Sequence, residues 1–555
     1  MAQWQENDLN HTTHLWQLYE KGLDYQSSIG IRESIPTFVN FFEGRQWPAP
    51  TPSTKNLPRP VVNIVKMICR SKKSAVLSTP VKIFYKSLSP LTDIDKLNDF
   101  ATCLFKELDQ DEIDRRAIDD GVKKGSYFYH YYWDPSAPSL SSEELGGVRC
   151  ELIDPLNIFF SSPEELNEQK QEWILISTRK TATEIKSLAD EDISLDYLEP
   201  DLRISAYGTK EQSSERKITL LTRYFRINGE VFCERATKSA VISKPFSLTP
   251  DFSELSQLDS TLKRAVKRQV ATLYPIACGY YEKREGTIYG LSEVEGLIPN
   301  QKAINFNIAM SLLNAQECAW GKYIALPNAL KGQKITNSPG QVLIDYSGTG
   351  SGIKRMPDAG ISQVPMSITA DITELTRMVA GTTEVFTGDS FNSNLSGSAI
   401  AYLQAQAQMP IEELKNNFYI AKKKQGAILA QFMRLYYYKR AFIRTRSNKE
   451  GKAEEYFDIF LSQEYENSSL EVIVEAVGGT KSSIAQDISF LDTCLKNGYI
   501  SLETYINAYP ESAITNKSAL LRQIEKEKGT ELENLRLEVA ALKAKLSQKS
   551  QKQVD

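Results

Sequence analysis

The strongest constraint in this sequence is one long apolar pattern between residues 399 and 440. Its apolar and small side chains recur every three or four residues: Ile400, Leu403, Ala407, Ile411, Leu414, Phe418, Ala421, Ile428, Phe432 and Leu435. This spacing predicts a single helix, which at about 1.5 Å per residue would be roughly 60 Å long. Pro410 removes one backbone hydrogen bond and predicts a kink. A helix this long exceeds what a compact domain needs and indicates a chain that spans an assembly.

The segment just before this helix is polar and uncharged apart from one aspartate. Residues 387–398 read Thr-Gly-Asp-Ser-Phe-Asn-Ser-Asn-Leu-Ser-Gly-Ser and contain no lysine or arginine. Such a composition predicts a loop, and Ser396 or Ser398 can cap the helix that follows. The sequence therefore predicts a polar loop carried on the end of a long helix.

The rest of the 555 residues alternates helical and strand-like patterns and predicts an α+β protein. Short strand patterns occur at 126–133, 148–153, 173–178, 218–227, 231–235, 323–326 and 341–346. A helical pattern runs from residue 292 to about 320, with a break expected at Pro299. No run of about 18 apolar residues is present and the first residues do not resemble a signal peptide. We therefore expect no membrane association, and synthesis and assembly in the cytoplasm.

Catalytic and metal-binding residues are scarce. The chain has three histidines, all before residue 131, and seven cysteines without a CxxC pair. This supply predicts neither a nucleophilic triad nor a zinc site. We expect a protein that is not an enzyme and that uses no cofactor or metal.

One acidic group leaves an enzymatic alternative open. Asp109, Asp111, Glu112 and Asp114 could hold Mg²⁺ in a DNA-processing enzyme, since carboxylates are the ligands that hard cations prefer. Their spacing does not match a calcium loop and Arg115 follows directly. A solvated helix face is the favoured interpretation.

The charge balance limits how the chain can bind nucleic acid. A net charge of −4 excludes strong bulk attraction to phosphates. The best local basic cluster is Lys422, Lys423 and Lys424, within the predicted long helix. These lysines could contact a DNA backbone, with a solvated helix surface as the alternative.

Several short phrases, taken in order, resemble the portal proteins of tailed bacteriophages. They are Gly44-Arg-Gln-Trp47, Pro60-Val-Val-Asn-Ile-Val-Lys66, Tyr132-Trp-Asp-Pro135, Ile153-Asp-Pro-Leu-Asn157, Tyr289-Gly-Leu-Ser-Glu293, Leu297-Ile-Pro-Asn-Gln-Lys302 and Ser396-Gly-Ser-Ala-Ile400. The resemblance covers roughly residues 20–510.

This resemblance implies a homo-oligomeric ring of about twelve copies at one capsid vertex. Double-stranded DNA would slide through it without sequence recognition during packaging and ejection. The implied partners are the terminase large subunit, a head-completion or adaptor protein, and the major capsid and scaffolding proteins. The implied location is the virion.

The resemblance also implies a division of the chain into the parts of a portal-protein fold. These are an N-terminal wing part at 1–290, a stem helix at 291–320, a β-rich clip at 321–360, a second stem helix at 361–386, a tunnel loop at 387–398, a long wing helix at 399–440, a C-terminal wing part at 441–480, a helical crown at 481–519 and a C-terminal helical tail at 520–555.

Within this plan, Asp389, Asn392, Ser393 and Asn394 are expected to face the channel. The three neutral side chains would offer hydrogen bonds to DNA without reading bases, and the aspartate would add mild repulsion. The first stem helix is rich in amides, and these could pair between neighbouring subunits or form a solvated face. Its amides are Asn300, Gln301, Asn305, Asn307, Asn314 and Gln316.

An elongated scaffold or adaptor protein of a virion, without a channel, is the alternative. It would use the long helix together with the heptad-like positions in the tail, and would form a dimer or trimer. Those heptad-like positions are Leu532, Leu535, Val539, Leu542 and Leu546.

Overall fold

The protein contains both α-helices and antiparallel β-sheets, which confirms the predicted α+β class. The computed structural model describes residues 8–87, 93–137, 146–190, 217–250, 270–319, 323–336, 341–348, 350–356, 363–382, 397–447, 453–465, 469–476, 481–501 and 504–506.

The helices in this part of the chain are α1 Asp8–Ser28, α2 Ile31–Glu43, α3 Ile64–Val76, α4 Ile94–Glu107, α5 Gln110–Lys124, α6 Ala182–Ser187, α7 Glu293–Ala319, α8 Val364–Val379, α9 Gly397–Tyr436 and α10 Lys481–Lys496. The strands are β1 Val81–Ser87, β2 Ser126–Asp134, β3 Gly147–Ile153, β4 Ile158–Phe160, β5 Trp173–Thr181, β6 Lys217–Ile227, β7 Glu230–Ala236, β8 Val241–Ser247, β9 Ile276–Tyr280, β10 Tyr323–Ala325, β11 Ile353–Arg355, β12 Lys439–Ser447, β13 Ala453–Leu461 and β14 Leu470–Ala476.

The chain divides into two compact units. The first unit comprises Met1–Leu77, Leu108–Pro135 and Gly147–Tyr436. The second comprises Ser78–Glu107, Ser136–Gly146 and Tyr437–Asp555. Each unit is therefore built from segments that are distant in the sequence.

The first unit contains two larger sheets. One has five strands in the order β4-β5-β6-β7-β8, and the other has three in the order β3-β2-β9. Helix α1 covers the five-stranded sheet through a cluster of buried side chains: Leu15, Tyr19, Phe159, Leu175, Leu221 and Ala236. The alternation of side chains along the strands supplies one apolar face for this helix.

A glycine sets the turn from α5 into β2. Gly125 ends α5 with a φ of 87°, a conformation that other residues rarely adopt. A side chain there would overlap the backbone of Gly290. The two glycines therefore allow the backbones to approach closely where β2 begins. Strand β2 is the middle strand of its sheet, and its Tyr127, Tyr129 and Tyr131 are buried.

The second unit contains two antiparallel ribbons. Strand β1 pairs with β14, and β12 pairs with β13. Phe100 of α4 stacks on Phe460 at 4.1 Å between ring centroids and meets Phe442 edge-on at 5.3 Å. These aromatic contacts bury one face of the β12–β13 ribbon beneath α4.

The structure changes three expected boundaries. The long helix ends at Tyr436 rather than residue 440, because β12 begins at Lys439 and turns Phe442 into the core of the second unit. Helix α7 continues through Pro299, where a break was expected; this proline is exposed, so water can reach the carbonyl that it leaves unpaired. Residues 341–346, expected to form a strand, are in no ladder, although β10 lies where one was expected.

Candidate functional site

Helices α7 and α8, where the two stem helices were predicted, pack against each other. The amide Nδ2 of Asn300 donates a hydrogen bond to Oγ1 of Thr376 at 3.0 Å. On the same face of α8, the hydroxyls of Thr369, Thr373 and Thr376 each donate to the carbonyl four residues earlier, at 2.6–2.7 Å. These hydroxyls are therefore satisfied within their own helix.

The opposite face of α8 is apolar and exposed. It carries Val364, Ile368, Leu375, Met378 and Val379, of which Leu375 is 58% and Val379 is 86% exposed. An apolar helix face is usually covered by a partner, and α7 covers the threonine side of α8 instead. Among the described residues, α7 packs against the other side of α8, and the outer face stays exposed.

Exposed apolar side chains continue along α7 and through the connecting segment. Of the 30 large apolar side chains exposed in the described residues, 16 lie between Phe306 and Val379. On α7 they are Phe306, Met310 and Leu312. A continuous stretch of this kind is typical of a protein–protein interface.

Two amides of α7 act inside the subunit. Oε1 of Gln301 accepts hydrogen bonds from the N–H groups of Ile64 and Val65 at 2.9 and 3.3 Å, and its Nε2 donates to the carbonyl of Val62 at 2.7 Å. Asn305 donates to Gln46 at 2.6 Å. Both amides are buried, so the expectation that they pair with a neighbouring subunit is wrong for these two.

The segment between the two helices has little core of its own. Among its described residues only Ala329 and Gly352 are buried. Strands β10 and β11 form a two-stranded ribbon, and the carboxylate of Asp345 accepts hydrogen bonds from the N–H groups of Ser347 and Gly352, each at 2.8 Å. Hydrogen bonds from Ser347 and Gly352 lower the pKa of Asp345. This segment is therefore held mainly by polar contacts.

The predicted lysine cluster does not form one basic surface. Lys422 is buried and its ammonium is paired with Asp114. The ammonium of Lys424 lies 2.7 Å from Oε2 of Glu168 and donates to the carbonyl of Cys278 at 3.2 Å. Of the three lysines, only Lys423 is exposed. It is therefore the one that remains a candidate for contact with DNA.

The acidic residues proposed as Mg²⁺ ligands likewise differ in exposure. Asp111 and Glu112 are exposed, whereas Asp114 is buried. Its Oδ1 accepts hydrogen bonds from Tyr129 at 2.9 Å and from Gln110 at 3.1 Å. Burial, together with the charge of Asp114, raises the pKa of Tyr129 well above its ordinary value. Asp114 is thus committed to contacts within the protein.

No three histidine, cysteine or acidic side chains in the described residues are grouped to hold a metal ion. None of the described helices is long and apolar enough to cross a membrane. The predicted channel residues Asp389, Asn392, Ser393 and Asn394 lie outside the described part of the chain, as do the tail at 520–555 and its heptad-like positions.

Residues 267–481 contain α7, the connecting segment, α8, α9 and the strands that follow. This segment matches the phage P22-like portal protein family. The resemblance to tailed-phage portal proteins is therefore confirmed over this portal-family segment. It includes both helices with exposed apolar faces, the β10–β11 ribbon and Lys423.

No curated protein matches the chain in sequence. The solved structures to which it is similar include "Neck of native GTA particle computed with C12 symmetry" and "Virion of native gene transfer agent (GTA) particle". Each match has 8% sequence identity and a TM-score of 0.35, and covers 79% of this chain and 87% of the other. At this TM-score the similarity does not define a function.

Proposed function

We propose that this chain is a portal subunit, and that its copies close into a ring at one capsid vertex of a virion. The observation that carries this proposal is the exposed apolar face of α8, inside the portal-family segment. A second copy is the occupant that this face fits, because α7 offers a different exposed apolar face on the same helix pair. Contacts between two different faces are heterologous and can close into a ring.

The ring would contain about twelve copies and conduct double-stranded DNA during packaging and ejection. At −4 per copy, such a ring would carry a charge of about −48, so it would not hold DNA tightly. Asp389, Asn392, Ser393 and Asn394 are proposed to line the channel. Lys423, exposed on α9, is proposed as a weak phosphate contact.

The remaining parts keep the roles that the resemblance implies. Residues 321–360 are proposed as the clip, which docks the terminase large subunit and a head-completion or adaptor protein. The wing parts at 1–290 and 441–480 and the crown at 481–519 are proposed to face the major capsid and scaffolding proteins. Assembly would take place in the host cytoplasm, and no catalytic role is proposed.

Native mass spectrometry and electron-microscopy class averages of the purified protein test the proposal. We expect a closed ring of about twelve subunits with a central hole. A small oligomer without a hole would favour the scaffold alternative. Removal of residues 520–555 separates the two further, because the scaffold would lose its assembly and the ring would keep it.

A further inference from the structure

Helix α3 lies in a basic stretch of the chain. Residues 44–92 contain nine lysines and arginines and no aspartate or glutamate, although the whole chain has a net charge of −4. Four of the nine lie on α3 itself, which carries no acidic residue. A local excess of positive charge on a chain of negative net charge favours a partner surface that is acidic.

Two of these four cations are paired within the subunit, and two are not. The ammonium groups of Lys72 and Lys73 lie 2.8 and 3.0 Å from carboxylate oxygens of α7 and α5. Lys66 and Arg70 form no ion pair with any described residue, and Arg70 is exposed. They lie four residues apart, so their side chains share one face of α3 with the exposed Met67.

Helix α7 continues this surface where the segment before α3 crosses it. Gln301 holds that segment by donating a hydrogen bond to the carbonyl of Val62 at 2.7 Å. Next to Gln301, the exposed Lys302, Phe306 and Met310 follow one another at four-residue spacing. Side chains at this spacing form one stripe along a helix.

The cations of the two helices lie beside the end of α2. The ammonium groups of Lys66 and Lys302 lie over the rings of Phe42 and Phe41, each 5.7 Å from the ring centroid. Lys302 forms no ion pair within the described part of the chain. The α3–α7 surface is therefore both basic and apolar, and it comprises Lys66, Met67, Arg70, Lys302, Phe306 and Met310.

The outer face of α8 has the opposite charge. Residues 356–376 contain three aspartates and glutamates and no lysine or arginine. Asp371 and Glu374 are exposed and form no ion pair with any residue that the structure describes. They lie four residues before Leu375 and Met378, two exposed apolar side chains of α8. The outer face of α8 therefore combines apolar and acidic side chains.

We propose that the outer face of α8 in one copy docks on the α3–α7 surface of the next copy, with Asp371 and Glu374 facing its cations. A second copy is the occupant because the two surfaces are both apolar and carry opposite charges. They are different surfaces, so the contact is heterologous, as a closing ring requires. This proposal rests on the proposed function and names the surface that receives α8.

The composition of the α3–α7 surface favours a protein partner over DNA. Its Met67, Phe306 and Met310 are 39%, 57% and 43% exposed. Surfaces that bind DNA are more polar than those that bind proteins. In contact with α8 of a second copy, these apolar side chains would be buried, and the charges around them would fix the orientation of the two copies.

Charge reversal tests the docking in the full-length chain. Arg70→Glu with Lys302→Glu, and separately Asp371→Lys with Glu374→Lys, place like charges across the contact. We expect each of these two double variants to need at least about tenfold higher concentration to form rings. All four substitutions together restore opposite charges and should return this concentration to within about threefold of the wild-type value. Lys423→Glu, exposed on α9, is the matched control and should assemble as the wild type does.

Analytical ultracentrifugation across a concentration series measures assembly, and circular dichroism checks that the unassembled variants are folded. Unchanged assembly of either double variant, or failure of the four substitutions together to restore it, would overturn the docking and leave the ring intact. If reversal of Arg70 and Lys302 abolished binding of a duplex DNA and left assembly unchanged, the α3–α7 surface would be a DNA contact instead. A wild-type chain that never assembles would overturn both the docking and the proposed function.

Discussion

The buried ammonium of Lys422 is compensated by the carboxylate of Asp114. Lys422→Met would leave that carboxylate buried without its counter-charge, and we expect a loss of about 3–5 kcal/mol in the free energy of unfolding. The matched control is Lys423→Met, on the exposed side of the same turn, with an effect within about 0.5 kcal/mol. Urea unfolding followed by tryptophan fluorescence measures both. Equal effects of the two substitutions would show that the pair is not important for stability.

Asp119 predicts an acid-sensitive contact between α3 and α5. Burial would raise the pKa of this carboxyl, but hydrogen bonds and charges from Lys123 and Lys73 lower it below its ordinary value of 3.8. A folded-state pKa below the unfolded value stabilises the protein above that unfolded value, and this contribution is lost as the pH falls through the folded-state pKa.

Asp119→Asn should therefore destabilise the protein at pH 7 and reduce the slope of its stability with pH below about 4. Thermal unfolding between pH 3 and 7 measures the slope. Asp111→Asn, at an exposed position of the same helix, is the control. If the wild type and Asp119→Asn lost stability in parallel below pH 4, this assignment would be wrong.

The burial of Lys422 could be inferred from spacing, but its partner could not. Lys422 lies on the same helical stripe as Phe418, Gln425 and Leu429, all of which are buried. Its position on this stripe predicts a core residue. The run of three lysines predicted a basic surface instead. The partner, Asp114, lies about 300 residues earlier, and only the folded chain brings the two together.

At the scale of elements, Gln301 of α7 secures the start of α3. Gln301→Ala would leave the buried N–H of Val65 without its 3.3 Å partner. It would also remove one of the two acceptors of the Ile64 N–H, which donates to the carbonyl of Val62 as well. We expect a loss of about 1–3 kcal/mol in the free energy of unfolding. Gln316→Ala, at an exposed position of α7, should have little effect. Chemical denaturation compares the two, and a similar change in both would argue against this anchoring role.

The outer face of α8 predicts a substitution that affects assembly but not folding. Leu375→Ser changes a side chain that is 58% exposed in one copy and would be buried in the ring. Each contact would lose about 1.5–3 kcal/mol of the free energy that apolar burial contributes. Ring formation should therefore weaken at least tenfold, and the melting temperature of the unassembled subunit should not change. Analytical ultracentrifugation across a concentration series measures ring formation.

Leu166→Ser is the control for this substitution, because Leu166 is also exposed but lies outside the helix pair. It should assemble as the wild type does. If Leu375→Ser assembled equally well, the outer face of α8 would not be the ring contact.

The observed helices and strands match the predicted ones closely where the periodic apolar pattern extends over many residues. Apolar spacing predicted α9 to within a few residues at its start, and the aromatic run 126–133 predicted β2. The end of α9 was missed because the apolar pattern does not stop at Tyr436. There the side chains change from helical packing to the alternation of β12, with Phe442 facing Phe100.

At the scale of the whole molecule, the predicted loop should matter for DNA and not for the ring. Replacement of Asn392, Ser393 and Asn394 by alanine should leave the assembled mass unchanged and reduce DNA packaging or retention, because neutral hydrogen-bonding groups would be lost from the proposed channel. Native mass spectrometry and a nuclease-protection assay in assembling particles measure the two properties. Loss of the ring itself would contradict the assignment of this loop.

Strand β1 pairs with β14 from Val81–Ala476 to Ser87–Leu470, so about 380 residues are synthesised between the two partners. At about 5–20 residues per second, a ribosome needs roughly 20–75 seconds to cover that distance. During this interval β1 is exposed on the nascent chain without its partner. The β1–β14 ribbon can form only after residue 476 has been synthesised, so a chain that stops before β14 leaves β1 without this partner.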